Sequence, residues 1–167
     1  MAQGAAILDI GAESTLAHAA RADDGLQQSR LLPVIRELAN AGAIVSAETY
    51  SFDVARACFE AGASVLNLTG TEASEAMFKL TADHDAAVII CFVQGRNVRE
   101  VADITLESDP IPTLLEYFKR QVDLAQRCGV TKLFIDPGLG FYYRNLQDSG
   151  ARISRQANIF LNSLDRK

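Results

Sequence analysis

Short apolar segments recur along the chain and are separated by longer stretches with a helical period. The apolar segments are Ala5–Ile10, Ala43–Ala47, Ser64–Leu68, Ala87–Val93 and Lys132–Ile135. They are almost continuously apolar, which is typical of strands that are covered on both faces in a parallel sheet. We therefore predict five buried, parallel strands.

The stretches between these strands have the apolar spacing of amphipathic helices, as in Leu31, Ile35 and Leu38. Gly42, Gly62 and Gly129 each follow the end of such a stretch, where a left-handed residue closes a helix at low cost. Helix starts are marked in a similar way. Ser51 follows a strand, Thr113-Leu-Leu-Glu116 has the spacing of a capping box, and a last helix is predicted at 152–166.

A series of strands alternating with helices predicts an α/β fold, either a doubly wound sheet or a piece of a (β/α)8 barrel. A doubly wound sheet usually has a glycine-rich phosphate loop after its first strand, and residues 11–15 lack that pattern. Polar residues at the carboxyl ends of the strands favour the barrel, since barrel enzymes place their chemistry there. These residues are Asp9, Glu48, Asn67, Gln94 and Asp136.

Composition narrows the classes of partner. The net charge is -5 and the basic residues are scattered, so neither nucleic acid nor an anionic membrane is an expected partner. No apolar stretch approaches the length of a membrane span, and the start lacks the layout of a signal peptide, so we expect a cytoplasmic protein. The three cysteines form no CxxC motif, so we predict reduced core thiols and no structural zinc. A small ligand is the expected partner.

Two strand-end motifs carry a resemblance to a known family. The first is Asp9-Ile-Gly-Ala-Glu-Ser-Thr15, and the second is Asp136-Pro-Gly-Leu-Gly-Phe141. Together with the order of the other strand ends, they resemble the dihydropteroate synthases, over essentially the whole chain. The resemblance implies a TIM-barrel-type (β/α)8 fold that is incomplete here, with about five parallel βα units matching the family's strands two to six. Residues 1–167 are then a single, partial pterin-binding barrel domain.

The resemblance also implies an activity, a transferase step of folate biosynthesis. In the family, p-aminobenzoate is condensed with 6-hydroxymethyl-dihydropterin pyrophosphate. Mg²⁺ is expected to arrive with the pyrophosphate substrate, and no tightly bound cofactor or metal is expected. A barrel of this kind needs about 250 residues, so we predict that this chain alone is inactive, and its assignment as an enzyme stays open. Open strand edges predict self-association into a homo-oligomer.

By resemblance, the pterin ring is bound by Asp136, Asn67, Glu48 and Gln94. A carboxylate can accept two adjacent N–H groups of a pterin edge together, which suits Asp136. Glu48 stands at a family Asp, so its charge is kept and its reach grows. Ser14 and Thr15 are expected on the loop facing p-aminobenzoate and pyrophosphate.

Each pterin-binding residue also has a structural alternative. Asp136 precedes a proline and could be a turn residue, Asn67 could cap the following segment, and Glu48 could be a cap or a surface acid. These alternatives are open at the level of sequence.

Besides Glu48, the chain departs from the family at four positions: Leu16 replaces an Arg, Leu68 an Asp, Phe92 a His and Tyr143 a Lys. A leaving pyrophosphate needs cationic contacts. These losses favour a degenerate pterin-binding paralogue without catalysis as one alternative. A pterin-binding methyltransferase domain is the other alternative, because it needs no pyrophosphate contact.

Overall fold

The computed structural model describes residues 4–14, 19–101 and 109–138. Within these ranges, strands and helices alternate without exception. The strands are β1 (Ile7–Gly11), β2 (Ile44–Thr49), β3 (Val65–Leu68), β4 (Ala87–Cys91) and β5 (Lys132–Asp136). The helices are α1 (Asp24–Asn40), α2 (Phe52–Glu60), α3 (Ser74–Asp83) and α4 (Ile111–Arg127). The predicted last helix at 152–166 lies outside the described residues, as do Thr15, Leu16 and Tyr143.

All five strands belong to one sheet, in the order β1-β2-β3-β4-β5, and every neighbouring pair is parallel. In a doubly wound sheet the strand order reverses, whereas in a (β/α)8 barrel each strand pairs with the next. The prediction of about five parallel βα units from a TIM-barrel-type fold is therefore confirmed.

The strand limits differ slightly from those predicted. β1 extends to Gly11, and β4 ends at Cys91 rather than at Val93. Val93 packs instead with Val98 in a small apolar cluster beside the strand ends. The apolar composition of 87–93 thus combines a strand and the first residues of a buried loop, which periodicity cannot separate.

The main core lies between the helices and one face of the sheet. β2, β3 and β4 contribute Val45, Leu66 and Val88, which are fully buried. The helices cover them with side chains such as Ile35 and Phe78, also fully buried. Burial of this apolar area is the main force that holds the helices on the sheet.

The opposite face of the sheet, here called the inner face, is only partly covered. Ile7 pairs in register with Ile44, and the two side chains are 37% and 49% exposed. On the edge strand β5, Phe134 on this face and Ile135 on the opposite face are 52% and 53% exposed. An exposed apolar edge favours association, and the prediction of a homo-oligomer stays a prediction.

Most helices begin and end at the capping residues that the sequence predicts. Gly42, Gly62 and Gly129 have φ values of 77°, 110° and 94°, as expected of left-handed residues after a helix. The Ser51 hydroxyl caps α2 by accepting a hydrogen bond from the Val54 amide.

The capping box predicted at Thr113 is wrong, because α4 begins two residues earlier, at Ile111. The carboxylate of Asp109 accepts a hydrogen bond from the Ile111 amide at 3.0 Å, Pro110 is the N-cap residue, and Pro112 lies in the first turn of the helix. Proline has a backbone angle that suits a helix start, so the helix begins at these prolines rather than at the threonine.

All three cysteines are free thiols; Cys58 and Cys91 are buried and Cys128 is partly exposed. Burial raises the pKa of Cys58 to about 11, so this thiol is a core residue that stays protonated. In the part of the chain that the structure describes, no helix has the length and apolar character needed to cross a membrane.

Candidate functional site

Five side chains from different strands meet at the carboxyl ends of the sheet, on the inner face. They are Asp9, Glu48, Asn67, Cys91 and Asp136, here called the strand-end cluster. Their meeting follows from register, because Glu48 pairs with Asn67 across β2 and β3, and Cys91 pairs with Asp136 across β4 and β5. Partners in parallel register point to the same face of a sheet.

A chain of polar contacts joins four of these side chains. The Asn67 amide nitrogen donates to the Asp9 carboxylate at 3.0 Å, and the Cys91 thiol donates to the Asn67 amide oxygen at 3.0 Å. The same thiol lies 3.9 Å from an Asp136 carboxylate oxygen. Asn67 is therefore a member of the cluster rather than a cap.

Asp136 has two roles, one for each carboxylate oxygen. Oδ1 accepts a hydrogen bond from the Gly138 amide at 2.8 Å, which is the turn role suggested by the following proline. Oδ2 faces the Cys91 thiol on the inner face. Since the turn fixes one oxygen, the carboxylate is held in place while its other oxygen remains available to a ligand.

Glu48 is a half-buried acid rather than a surface acid or a helix cap, since Ser51 caps the helix that follows. A side chain added at Gly11 would place its Cβ 3.0 Å from a Glu48 carboxylate oxygen, so the absence of a side chain there makes room for Glu48. Burial, and then the nearby charge of Asp9, raise the pKa of Glu48 to about 7.

Cys91 has a polar role that the sequence, which predicts only a core thiol, does not reveal. Burial raises the pKa of the Cys91 thiol above its ordinary value, and the nearby charges of Asp136, Glu48 and Asp9 raise it further. The thiol is therefore a neutral donor between two polar groups. Its signal in the sequence is its place at the end of a strand, in register with an acid.

Ser46 was also missed by sequence reasoning. It lies two residues before Glu48 and therefore on the same face of β2, and it is fully buried. Within residues 4–14, 19–101 and 109–138, its hydroxyl has no hydrogen-bond partner. A buried hydroxyl without a partner is uncommon, and its position on the inner face would leave it able to bond to a ligand.

The predicted pterin-binding residue Gln94 lies outside the cluster, and so do two positions at which the chain departs from the family. Gln94 lies in the loop three residues after β4, and none of the described hydrogen bonds joins it to the cluster. Phe92, at the family's His, packs edge-on against Tyr117 with ring centroids 5.0 Å apart. Leu68 is buried in the core between sheet and helices. Thr15 lies outside the described residues.

Ser14 belongs to a second group of polar contacts, at the loop between β1 and α1. Its carbonyl oxygen accepts a hydrogen bond from Arg99 at 2.8 Å. Arg99 also pairs with Glu13 at 3.8 Å, and the side chains are 4% and 5% exposed. Sequence reasoning missed this pair, because the two residues are far apart in the chain and in different loops.

The described residues contain no group of three or more His, Cys, Asp or Glu side chains arranged to hold a metal ion. The carboxylate oxygens of the strand-end cluster are of the kind that Mg²⁺ uses, and those of Asp9 and Asp136 contact an amide and a thiol. Mg²⁺ carried by a pyrophosphate substrate stays a prediction.

The fold and the cluster together define a segment of a parallel βα barrel that carries a cluster of carboxylates, an amide and a thiol at the strand ends. Comparison of the sequence with models of known protein families identifies the family of this chain. Residues 1–160 match the family described as "Pterin binding enzyme", and the chain belongs to it.

The relatives in this family include several dihydropteroate synthases. That of Mycobacterium leprae (strain TN) is 37% identical over 144 residues, which is 84% of this chain and 51% of the relative. That of Synechocystis sp. is 33% identical over 142 residues, which is 83% of this chain and 49% of the relative. The chain thus spans about half the length of the curated relatives that it matches.

Comparison with solved structures also finds dihydropteroate synthases. The dihydropteroate synthase of Clostridium difficile, determined in the presence of pteroic acid, has a TM-score of 0.77 and 28% identity, and the match covers 98% of this chain and 60% of that one. The Thermus thermophilus enzyme in complex with 4-aminobenzoate has a TM-score of 0.77 and 27% identity, with 97% and 61% covered. The predicted resemblance to the dihydropteroate synthases is therefore confirmed.

Proposed function

We propose that this chain contributes the pterin-binding part of a dihydropteroate synthase-like site. In that role it takes part in the condensation of p-aminobenzoate with 6-hydroxymethyl-dihydropterin pyrophosphate. The observation that carries the proposal is the polar chain Asp9–Asn67–Cys91–Asp136 at the strand ends. Support from relatives comes from the structures of dihydropteroate synthases with pteroic acid and with 4-aminobenzoate.

The chemistry of a pterin edge suits this cluster. The ring has an exocyclic amine beside a ring N–H, so it presents two donors that one fixed carboxylate can accept together. Asp136 is such a carboxylate, because the Gly138 amide already holds it. Asn67 can both donate and accept, and the buried Ser46 hydroxyl lies deeper on the same face.

Calorimetric titration of the wild-type chain with a pterin tests the proposal. We expect Asp136→Asn to weaken binding by roughly 1.5–3 kcal/mol, the scale of a hydrogen bond to a charged group. Asp85→Asn is a matched control. Asp85 is at a turn with φ of 48°, which asparagine also adopts, and its carboxylate pairs with the exposed Lys132. Equal affinity of wild type and Asp136→Asn would remove Asp136 from the site.

A pterin-binding paralogue without catalysis is the second candidate. Phe92 supports it, because this residue stands at the family's His and packs against Tyr117 instead of joining the cluster. A radiolabelled p-aminobenzoate assay with Mg²⁺ separates the two functions. Steady pteroate formation that Asp136→Ala abolishes would support the enzyme, and we expect none from the chain by itself. The methyltransferase alternative is not favoured, since the relatives described above are dihydropteroate synthases.

A further inference from the structure

The ion pair between Glu13 and Arg99 differs from the other ion pairs of the described residues in its burial. Its two side chains are 4% and 5% exposed. In the pairs Arg21–Glu100, Arg56–Asp53 and Arg96–Glu72, every side chain is at least two fifths exposed. A charged pair is costly to bury, so its position in the fold requires a reason.

Arg99 spans the two arms of the loop between β1 and α1. One terminal nitrogen donates to the Ser14 carbonyl oxygen at 2.8 Å, and the other donates to the Ala19 carbonyl oxygen at 2.8 Å. These two carbonyls flank residues 15–18 of the loop. One guanidinium group therefore fixes the distance between the two ends of that segment.

The Glu13 carboxylate contacts both the far end of the same loop and the next βα connection. Its Oε1 accepts a hydrogen bond from the Ala22 amide at 3.1 Å, across the loop, and its Oε2 accepts one from the Tyr50 hydroxyl. Tyr50 follows β2, so the carboxylate also attaches the loop to the next βα connection. Tyr50 also lies close to the backbone at Gly70, where an added Cβ would be 2.7 Å from the Tyr50 Cβ.

The loop that carries Arg99 is itself well fixed. The Asn97 side chain accepts a hydrogen bond from the Arg99 amide at 2.9 Å, and Asn97 is buried. The Val98 amide donates to the Thr69 carbonyl at 3.0 Å, and Gly70 pairs with Asn97 in a short bridge. The backbone that carries Arg99 is thus hydrogen-bonded to the segment after β3, so the Arg99 side chain extends from a well-ordered loop.

We propose that Glu13 and Arg99 form a buried loop clamp, which holds residues 12–14 and 19–22, the described parts of the connection between β1 and α1, in a fixed position relative to each other. They are positioning residues. The clamp does not bind the ligand, because the guanidinium is directed at two backbone carbonyls and a carboxylate of the protein. The proposal rests on the proposed function only where it concerns ligand binding.

Arginine geometry gives the main test. An arginine fork can hold two carbonyls and a carboxylate at once, whereas a lysine has the charge but a single nitrogen. Arg99→Lys should therefore release the loop, although it would preserve most of the attraction to a bound anion. Glu13→Gln should release it too. Arg56→Lys, in an exposed pair at the start of α2, is the matched control.

Hydrogen exchange of the intact chain without ligand is the first measurement. In Arg99→Lys and Glu13→Gln, we expect amides in 12–14 and 19–22 to exchange at least about tenfold faster, as local opening becomes easier. Amides of β3 and β4 should keep their rates, and Arg56→Lys should match the wild type. Unchanged loop exchange, or a uniform rise through the sheet, would overturn the clamp. Tyr50→Phe, which leaves the ion pair intact, should give a smaller rise and covers the case in which a clamp variant fails to fold.

Binding of 6-hydroxymethyl-dihydropterin pyrophosphate with Mg²⁺ is the second measurement. If the ordered loop is the competent state, affinity should fall by about the same factor as loop protection, and the ligand should restore that protection. Equal affinity of wild type and Arg99→Lys, together with faster loop exchange, would overturn the positioning role. If the wild type does not bind, the proposed function fails, and hydrogen exchange alone still decides whether the clamp exists.

Discussion

The strand-end cluster and the loop clamp lie at the same end of the sheet but treat charge in opposite ways. In the clamp, the Glu13 carboxylate meets an arginine and two donors from the protein. In the cluster, the polar contacts of Asp9 and Asp136 are with an amide, a thiol and a backbone N–H. Glu48 lies so near Asp9 that its pKa, already raised by burial, reaches about 7.

The comparison teaches which charges are structural. A carboxylate whose partners all come from the protein stabilises a loop, and it has little capacity left for a ligand. Carboxylates that are gathered together with neutral donors repel one another, and a ligand with several N–H groups would relieve this repulsion. The unbalanced charge of the cluster is what the proposed ligand-binding role requires, and the balanced charge of the clamp is what its proposed positioning role requires.

The largest change in unfolding free energy is expected from breaking the ion pair between Glu13 and Arg99. Arg99→Met leaves the Glu13 carboxylate buried without its cation, and such a loss costs about 3–5 kcal/mol of unfolding free energy. Urea unfolding measures this value. Arg56→Met, in a pair with both side chains more than half exposed, should cost less than about 1 kcal/mol. Similar losses in the two variants would mean that burial does not distinguish the clamp.

Removing a charge from the strand-end cluster should stabilise the chain, whereas breaking the clamp should destabilise it. The pKa of Glu48 is raised in the folded state, so the folded chain binds this proton more tightly than the unfolded chain does. Stability contributed by the protonated acid is therefore lost as pH rises from about 4.5 to about 7. We expect Glu48→Gln to stabilise the chain by about 1–3 kcal/mol at pH 8, and to have little effect at pH 4.

Urea unfolding at both pH values checks this prediction. Glu75→Gln is the control, because a hydrogen bond from Lys79 lowers the pKa of the exposed Glu75 carboxyl group. That variant should not be more stable than the wild type at pH 8. A Glu48→Gln variant that is less stable than the wild type at pH 8 would show that the Glu48 charge is balanced after all.

The smallest effect is expected from Tyr50→Phe, which removes one hydrogen bond to the clamp. The loss should be about 1.5 kcal/mol, the lower end of the range for a hydrogen bond to a charged group, since Arg99 still faces Glu13. Burial, and then the hydrogen bond to Glu13, raise the pKa of Tyr50 to about 12. Ultraviolet titration should therefore lose a late-titrating tyrosine in this variant. A titration unchanged above pH 11 would contradict the contact.

Much of the fold could be predicted from the sequence, because each strand is a short apolar run and most helices end at a glycine. The cluster was also within reach, since residues at the ends of neighbouring parallel strands must meet. Glu48, Asn67 and Asp136 were predicted in this way, and the structure places them together. Their binding role stays a prediction.

The clamp could not be predicted in the same way. Glu13 and Arg99 lie on loops, whose path no periodicity determines, and 86 positions separate them. Cys91 was assigned to the core because a buried thiol usually belongs there. Its contact with Asn67 depends on register between strands, which the sequence of one strand does not specify.

A crystal structure of the chain with a bound pterin would test the contrast between cluster and clamp most directly. We predict that the N–H groups of the ring lie within about 3 Å of the Asp136 carboxylate and that Asn67 contacts the same ring. Arg99 should still donate to the carbonyl oxygens of Ser14 and Ala19, as it does without ligand. A pterin bound away from Asp136, or an Arg99 side chain turned from the loop toward the ligand, would contradict the account.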